Sequence, residues 1–554
     1  MKKVLSGIIT VIASSMIASA GLSPMCFAAE QESKAAVYDV QKDYPLVTVE
    51  EGQILGFIDE DVNTFLGIPY AKADRWQMPQ KADAWEGVKN CLTFREVCPQ
   101  NNGDTVESSA FFGGRPLVQE AENENCQFLN IWSPDIKPEA KKPVMVFLHG
   151  GGFATGSASQ SANHNGHGLT KHGDVVTVSI NHRINALGYL DLSDYGDEYK
   201  YSGNLGTADM IAALEWIHNN IEQFGGDPEN VTIFGQSGGG SKVLTLMAMP
   251  AASGLFQKGI VESASIQWAD QEEAKALTKE VMDRLGVSTA DELKAVDYDT
   301  LIMTADAAMS ELSEQGIISY SSWCPVVDGD YYPEGYSDFN YFVEMAKDIP
   351  MMIGTTFGEM DSNALPALCN FGPIFYTGDM NEADVAERLE GSYPGMSEEI
   401  IAAFKEAYPN HPVQDVLFIG KRAWSTDQYV GRYSLDNLVA LAKANQGGAN
   451  VYSYVFAYDY PVYGGLTATH GAELAFVFQS LNDNRVLFGN DENAYRLSDA
   501  VSTAWSNFAW TGDPSQEGLE WKPFSSENGE TMIFDVESGC RPFHDKDLMD
   551  LLIQ

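Results

Sequence analysis

The chain has 554 residues, of which 44% are hydrophobic and 11% aromatic, so it can bury a large core. Lys and Arg number 34 against 78 Asp and Glu, a formal charge of −44. That excess excludes a nucleic-acid surface, which needs a basic face, and it opposes docking on anionic membranes. The excess reads first as a solvated acidic surface that maintains solubility outside the cell, and second as a field favouring neutral or cationic guests over anionic ones.

The N-terminus reads as an export signal over residues 1–28. Lys2 and Lys3 precede a mostly apolar run, Val4 to Leu22, and Cys26-Phe27-Ala28 places small side chains where a cleavage site requires them. The mature chain, 29–554, is expected to be secreted or otherwise extracytoplasmic, with no stable membrane insertion, because no later segment is long and apolar enough. No repeat or low-complexity linker divides it, so a single large domain is expected. The cysteines after the signal (Cys91, Cys98, Cys126, Cys324, Cys369, Cys540) form no Cys-x-x-Cys pair, which argues against structural zinc held by thiolates.

Pro143 to Leu148 is a continuous apolar run, the mark of a strand buried on both faces. It leads into His149-Gly150-Gly151-Gly152-Phe153. Consecutive glycines let backbone N–H groups face an anion with no Cβ in the way. Next, Asn230 to Phe234 reads as a short strand. It enters Gly235-Gln236-Ser237-Gly238-Gly239, a G-x-S-x-G turn that precedes a helix over Ser241 to Met249. In such a turn the serine Oγ projects from the tip, while side chains at the flanking glycines would strike the neighbouring strand and helix. The dipole of the following helix favours negative charge there. Gly151, Gly152 and Gly238 are therefore the candidate oxyanion donors, and Ser237 is the candidate nucleophile.

Further on, Ile349 to Gly354 reads as another buried strand, followed by Thr355-Thr356-Phe357-Gly358-Glu359-Met360-Asp361. Three histidines lie well beyond the nucleophile. His411 stands in an apparent surface loop beside Pro412, and His544 in a charged C-terminal stretch. His470 falls in the glycine-rich run Gly464 to Gly471, just before an apolar element. A loop of that kind suits a general base, so His470 is the candidate.

With these segments on the page the chain resembles the type-B carboxylesterase family. The resemblance runs through Phe65-Leu66-Gly67-Ile68-Pro69-Tyr70-Ala71, Glu124 to Ile131, Asn181-His182-Arg183, Gly203-Asn204 with Asp209, Phe224 to Thr232, and Phe508 to Pro514. It implies an α/β-hydrolase fold: a large central, mostly parallel sheet flanked by helices, with helical insertions over the active site at 266–345 and 361–450. It implies a serine ester hydrolase that needs no cofactor and no metal. It implies Glu359 as the acid, although Gly358 and Met360 depart from the family's usual neighbours and leave Asp361 as a rival. It also implies a disulfide between Cys98 and Cys126 and an ion pair between Glu124 and Arg183.

Other departures narrow the substrate. Gln236 replaces the glutamate that choline-hydrolysing members carry before the nucleophile. No tryptophan lies between Cys98 and Cys126, where the aromatics are Phe111 and Phe112. Gly238 stands where alanine is common; it keeps the N–H and loses only a methyl. The insertions hold Trp268, Trp323, Tyr331, Phe371 and Phe375, so the expected guest is a small-molecule ester with an apolar or aromatic part.

Overall fold

The computed structural model describes residues 44–101, 120–337, 339–368, 373–424 and 436–553. The export signal, Phe111, Phe112, Cys369 and Phe371 lie outside the described residues.

Eleven strands form the main sheet: β1 (Phe57–Asp59), β2 (Val62–Pro69), β3 (Phe128–Ser133), β4 (Lys142–Leu148), β5 (Val176–Ile180), β6 (Gly226–Gln236), β7 (Lys258–Glu262), β8 (Met351–Thr356), β9 (Val451–Phe456), β10 (Glu530–Phe534) and β11 (Gly539–Pro542). Their spatial order is β11-β10-β9-β8-β7-β6-β4-β5-β3-β2-β1. The run from β5 to β10 is parallel throughout. The antiparallel pairings are confined to the two ends. This is the expected α/β-hydrolase sheet. Its centre is covered on both faces, so β4, β8 and β9 are buried along nearly their whole length rather than on alternate residues.

Strand β7 shows how the helices are shared between the faces. A Cβ on Gly259 would meet Val243 and Met247 of α2 (Gly238–Met247) at 3.1–3.4 Å. Glu262, three residues on and so on the opposite face, accepts a bond from Trp505 Nε1 at 2.6 Å. Trp505 belongs to α5 (Glu492–Thr511), capped by Asp491 at its start and closed by Gly512 at φ +77°. Helix α1 (Leu205–Asn220) packs beside α2. The insertion between β7 and β8 contributes α3 (Gln271–Leu285) and α4 (Tyr298–Glu314), which build a second apolar cluster containing Trp323 and Phe153. Trp323 is core, whereas Trp268 and Phe375 are more than a third exposed. Among the described residues no helix is long and apolar enough to cross a membrane.

The ion pairs differ from the expectation. Arg183 is fully buried and bonds both carboxylate oxygens of Asp209, at 2.7 and 2.8 Å, rather than Glu124. Glu124 lies nearer the surface and pairs with Arg75. The reason is depth: a guanidinium this buried needs a carboxylate at its own level, which α1 supplies.

Candidate active site

Ser237 follows the last residue of β6 and forms the N-cap of α2, at φ +59° and ψ −125°. A non-glycine residue persists in that region only where its surroundings over-determine it. Here the constraint is the lack of space. A Cβ on Gly239 would sit 2.0 Å from the Leu148 carbonyl oxygen, and one on Gly235 2.5 Å from the same atom. The Ser237 N–H donates to the Glu262 carbonyl at 2.8 Å, tying the elbow to β7.

The glycine loop after β4 closes against this elbow. Gly151 and Gly152 have φ of +83° and +63°, the left-handed region that glycine enters without strain. A Cβ on Gly238 would lie 2.3 Å from both the Cα and the N of Gly152. The missing methyl is therefore more than a tolerated loss, because the loop occupies its place. Lys242, one turn into α2 and fully buried, donates to the His149 carbonyl at 2.9 Å and so holds the first residue of the loop. Burial pushes its ammonium down to about 7.

Glu359 lies three residues beyond β8, with φ +43°. One carboxylate oxygen, Oε2, meets His470 Nδ1 directly. The other, Oε1, accepts from Ser263 Oγ at 2.6 Å and from the Thr356 N–H at 2.8 Å. The His470 N–H returns to the Glu359 carbonyl at 3.2 Å. Burial works against ionisation, but His470, Ser263 and Thr356 outweigh it and hold the carboxyl below its ordinary range. Asp361, the rival acid, is exposed. It is Glu359 that meets the imidazole.

The pieces share one corner at the carboxyl ends of the parallel strands, where open α/β sheets place their sites. Ser263 directly follows Glu262, whose carbonyl accepts from the Ser237 N–H. Gln236, directly before Ser237, lies beside Gly471, directly after His470: a Cβ on Gly471 would lie 3.4 Å from the Gln236 side-chain amide. Two more carboxyls sit beneath. Burial pushes Glu262 up to about 8, and burial with the nearby Glu262 raises Glu473 well above the carboxylate range. Burial thus favours the neutral form of both, whereas His470, Ser263 and Thr356 favour the charged form of Glu359.

Ser263 is the functional residue that sequence reasoning missed. Its signal was available: Gly259-Ile260-Val261 is a third apolar strand, and Ser263 stands at its carboxyl end, like the other site residues. Cys98 and Cys126 are buried free thiols. A hydrogen bond from the Cys126 thiol to the Cys98 sulfur, with burial, pushes Cys126 well above its ordinary range.

Residues 43–546 match the model of the carboxylesterase family. The para-nitrobenzyl esterase of Bacillus subtilis is 32% identical over 511 residues, covering 89% of this chain and 95% of that protein. An esterase from anaerobic Clostridium hathewayi that can hydrolyse aliphatic aromatic polyesters superposes with a TM-score of 0.81 at 35% identity, covering 92% of this chain and 97% of that one. A carboxylesterase of Geobacillus stearothermophilus gives a TM-score of 0.69 at 32% identity, covering 91% and 99%. The chain belongs to the carboxylesterase family, and its activity is that of a serine carboxylic-ester hydrolase.

Proposed function

We propose that the enzyme is a secreted carboxylesterase that works by two-step acyl transfer, with Ser237 as nucleophile, His470 as base and Glu359 as acid. The observation that carries this reading is the contact between Glu359 and His470 Nδ1 beside the strained Ser237 elbow. With its proton on Nδ1, bonded to the carboxylate, His470 leaves Nε2 free of hydrogen to take the Ser237 proton. The serine Oγ attacks the ester carbonyl, and the tetrahedral oxyanion is held by the N–H groups of Gly151, Gly152 and Gly238. Collapse expels the alcohol, which takes the proton from His470. Water activated by the same imidazole then releases the acid.

The preferred guest is a neutral ester with an apolar or aromatic part. Two similar enzymes bear names that speak of nitrobenzyl and aliphatic aromatic esters, and the charge of −44 disfavours anionic ones. Export would place the chain where thiols oxidise, so the neighbouring Cys98 and Cys126 would close a disulfide there.

The test compares hydrolysis of p-nitrophenyl acetate and butyrate by the mature enzyme and by Ser237→Ala. The expected loss is about 10⁴-fold or more. Stoichiometric labelling of wild type by an organophosphate, found on the Ser237 peptide, would accompany it. Full activity in Ser237→Ala would end the reading.

A further inference from the structure

Behind the acid loop lies a second cluster of ionisable side chains that the ester chemistry does not use. His411 is not on the surface. Its side chain is 3% exposed, and its ring stacks on Phe357 at 4.9 Å and 8° between planes. Three aspartates converge on it from three separate segments. Asp415 Oδ2 is 3.1 Å from Nδ1, Asp459 Oδ2 is 3.3 Å from the same nitrogen, and Asp535 Oδ2 is 3.4 Å from Nε2. Asp459 follows β9 and Asp535 follows β10, while Phe357 follows β8. The cluster thus spans the carboxyl ends of three adjacent parallel strands.

We propose that His411, Asp415 and Asp459 form a binding site for a zinc-class divalent cation. Ligand atoms of these three residues lie within 4.8 Å of one another. A tetrahedral ion bound at about 2.0–2.2 Å holds its ligand atoms about 3.3–3.5 Å apart, close to the spacing around His411 Nδ1. One N–H on Nδ1 can serve only one of the two carboxylates facing it, whereas a cation bound there would serve both.

A second observation is independent of that spacing. Among the described residues the other ring nitrogen, Nε2, is buried with no well-aligned hydrogen bond, and its one charged neighbour is Asp535 Oδ2 at 3.4 Å. With a cation on Nδ1, the imidazole proton must sit on Nε2. Asp535 then supplies the outer carboxylate that accepts from a metal-bound histidine. Asp459 Oδ1 is likewise buried without a hydrogen-bond partner. Charge points the same way: three carboxylates against one imidazole leave negative charge in a largely buried place, and a divalent cation offsets it. The imidazole nitrogen favours zinc and its neighbours over calcium, which takes six or more oxygens. A cation here would clamp the loop after β9, which runs on towards His470, to the end of β10.

The experiment measures metal content and thermal melting of the full mature enzyme, as purified, after EDTA, and after back-titration with Zn²⁺, Mn²⁺ or Ca²⁺. The expected result is about one zinc-class ion per chain, a melting temperature lowered by EDTA and restored by Zn²⁺ but not Ca²⁺. Zinc affinity should fall at least ~10-fold in Asp459→Asn. That variant removes a carboxylate from a crowded cluster and should melt no lower than wild type in EDTA. If neither metal content nor melting responds to EDTA or Zn²⁺, the proposal is overturned and His411 is a histidinium shared by its three aspartates. Stoichiometric zinc retained in both Asp459→Asn and His411→Gln would overturn it too, by placing the ion elsewhere.

Discussion

Ser237 and Glu359 stand beyond the ends of strands two apart in one sheet, β6 and β8, and they are held by different means. Ser237 is fixed by backbone sterics: glycines on both sides leave no room for a Cβ, and the turn can close only one way. Glu359 is fixed by side chains and backbone groups from three other places, Ser263, Thr356 and His470. A site held by sterics is stiff but fails as a whole when space is taken. A site held by hydrogen bonds can be weakened one bond at a time.

Among variants that keep Ser237, the largest effect should follow from removing the charge at the second region. Glu359→Gln keeps the shape and can still accept from Ser263 and Thr356, but it no longer favours the imidazole tautomer with the proton on Nδ1. It also leaves the imidazolium unbalanced. The expected fall in kcat is about 10³–10⁴-fold, read with p-nitrophenyl butyrate. A fall of less than tenfold would move the acid's role elsewhere, with Asp361→Asn the next variant to assay.

The steric region is tested by adding a single methyl. In Gly238→Ala the new Cβ would need the space of Gly152, 2.3 Å away. Either the glycine loop retreats or the start of α2 shifts, and each misaims the oxyanion donors. The expectation is a fall of about 10²–10³-fold in kcat with KM little changed, comparable to loss of one oxyanion donor. Activity near that of wild type would mean that the loop has slack and that the contrast between the two regions is weaker than the distances imply.

The same contrast explains what the sequence disclosed. The elbow is local: its glycines, serine, strand and helix are contiguous, and sterics alone demand that order. The buried strands β4 and β8 were legible because a strand covered on both faces must be apolar along its length. The acid was narrowed to Glu359 or Asp361 by resemblance, and the choice depended on a φ of +43° that turns one carboxylate inward and leaves the other exposed. The bond of Ser263 to Glu359, and Asp209 as the partner of Arg183, were hidden because hydrogen bonds between distant segments leave no period or motif. His411 was misread for the same reason. Its neighbours Asn410 and Pro412 suggest a turn, and only the fold reveals that the turn is packed beneath Phe357.

The smallest expected effect comes from loosening one bond at the acid. Ser263 Oγ donates to Glu359 Oε1 at 2.6 Å, and a hydrogen bond to a charged group contributes about 1.5–3 kcal/mol. Ser263→Ala leaves that oxygen with the Thr356 N–H, so the carboxylate should hold its place with more freedom, and kcat should fall about tenfold. The pH profile separates this from general damage. In the folded enzyme the Glu359 carboxyl is held below its ordinary value of 4.5, so its contribution is complete above that value and is lost only as pH falls through the lower one. Removing Ser263 takes away one of the groups that lower it. The carboxyl therefore moves back up, and the acid-side loss of stability begins at higher pH. Ser263→Thr retains the hydroxyl and should keep the wild-type limb. A tenfold loss with an unmoved acid limb would mean that Ser263 acts by packing alone, and that the acid, like the nucleophile, is held by shape.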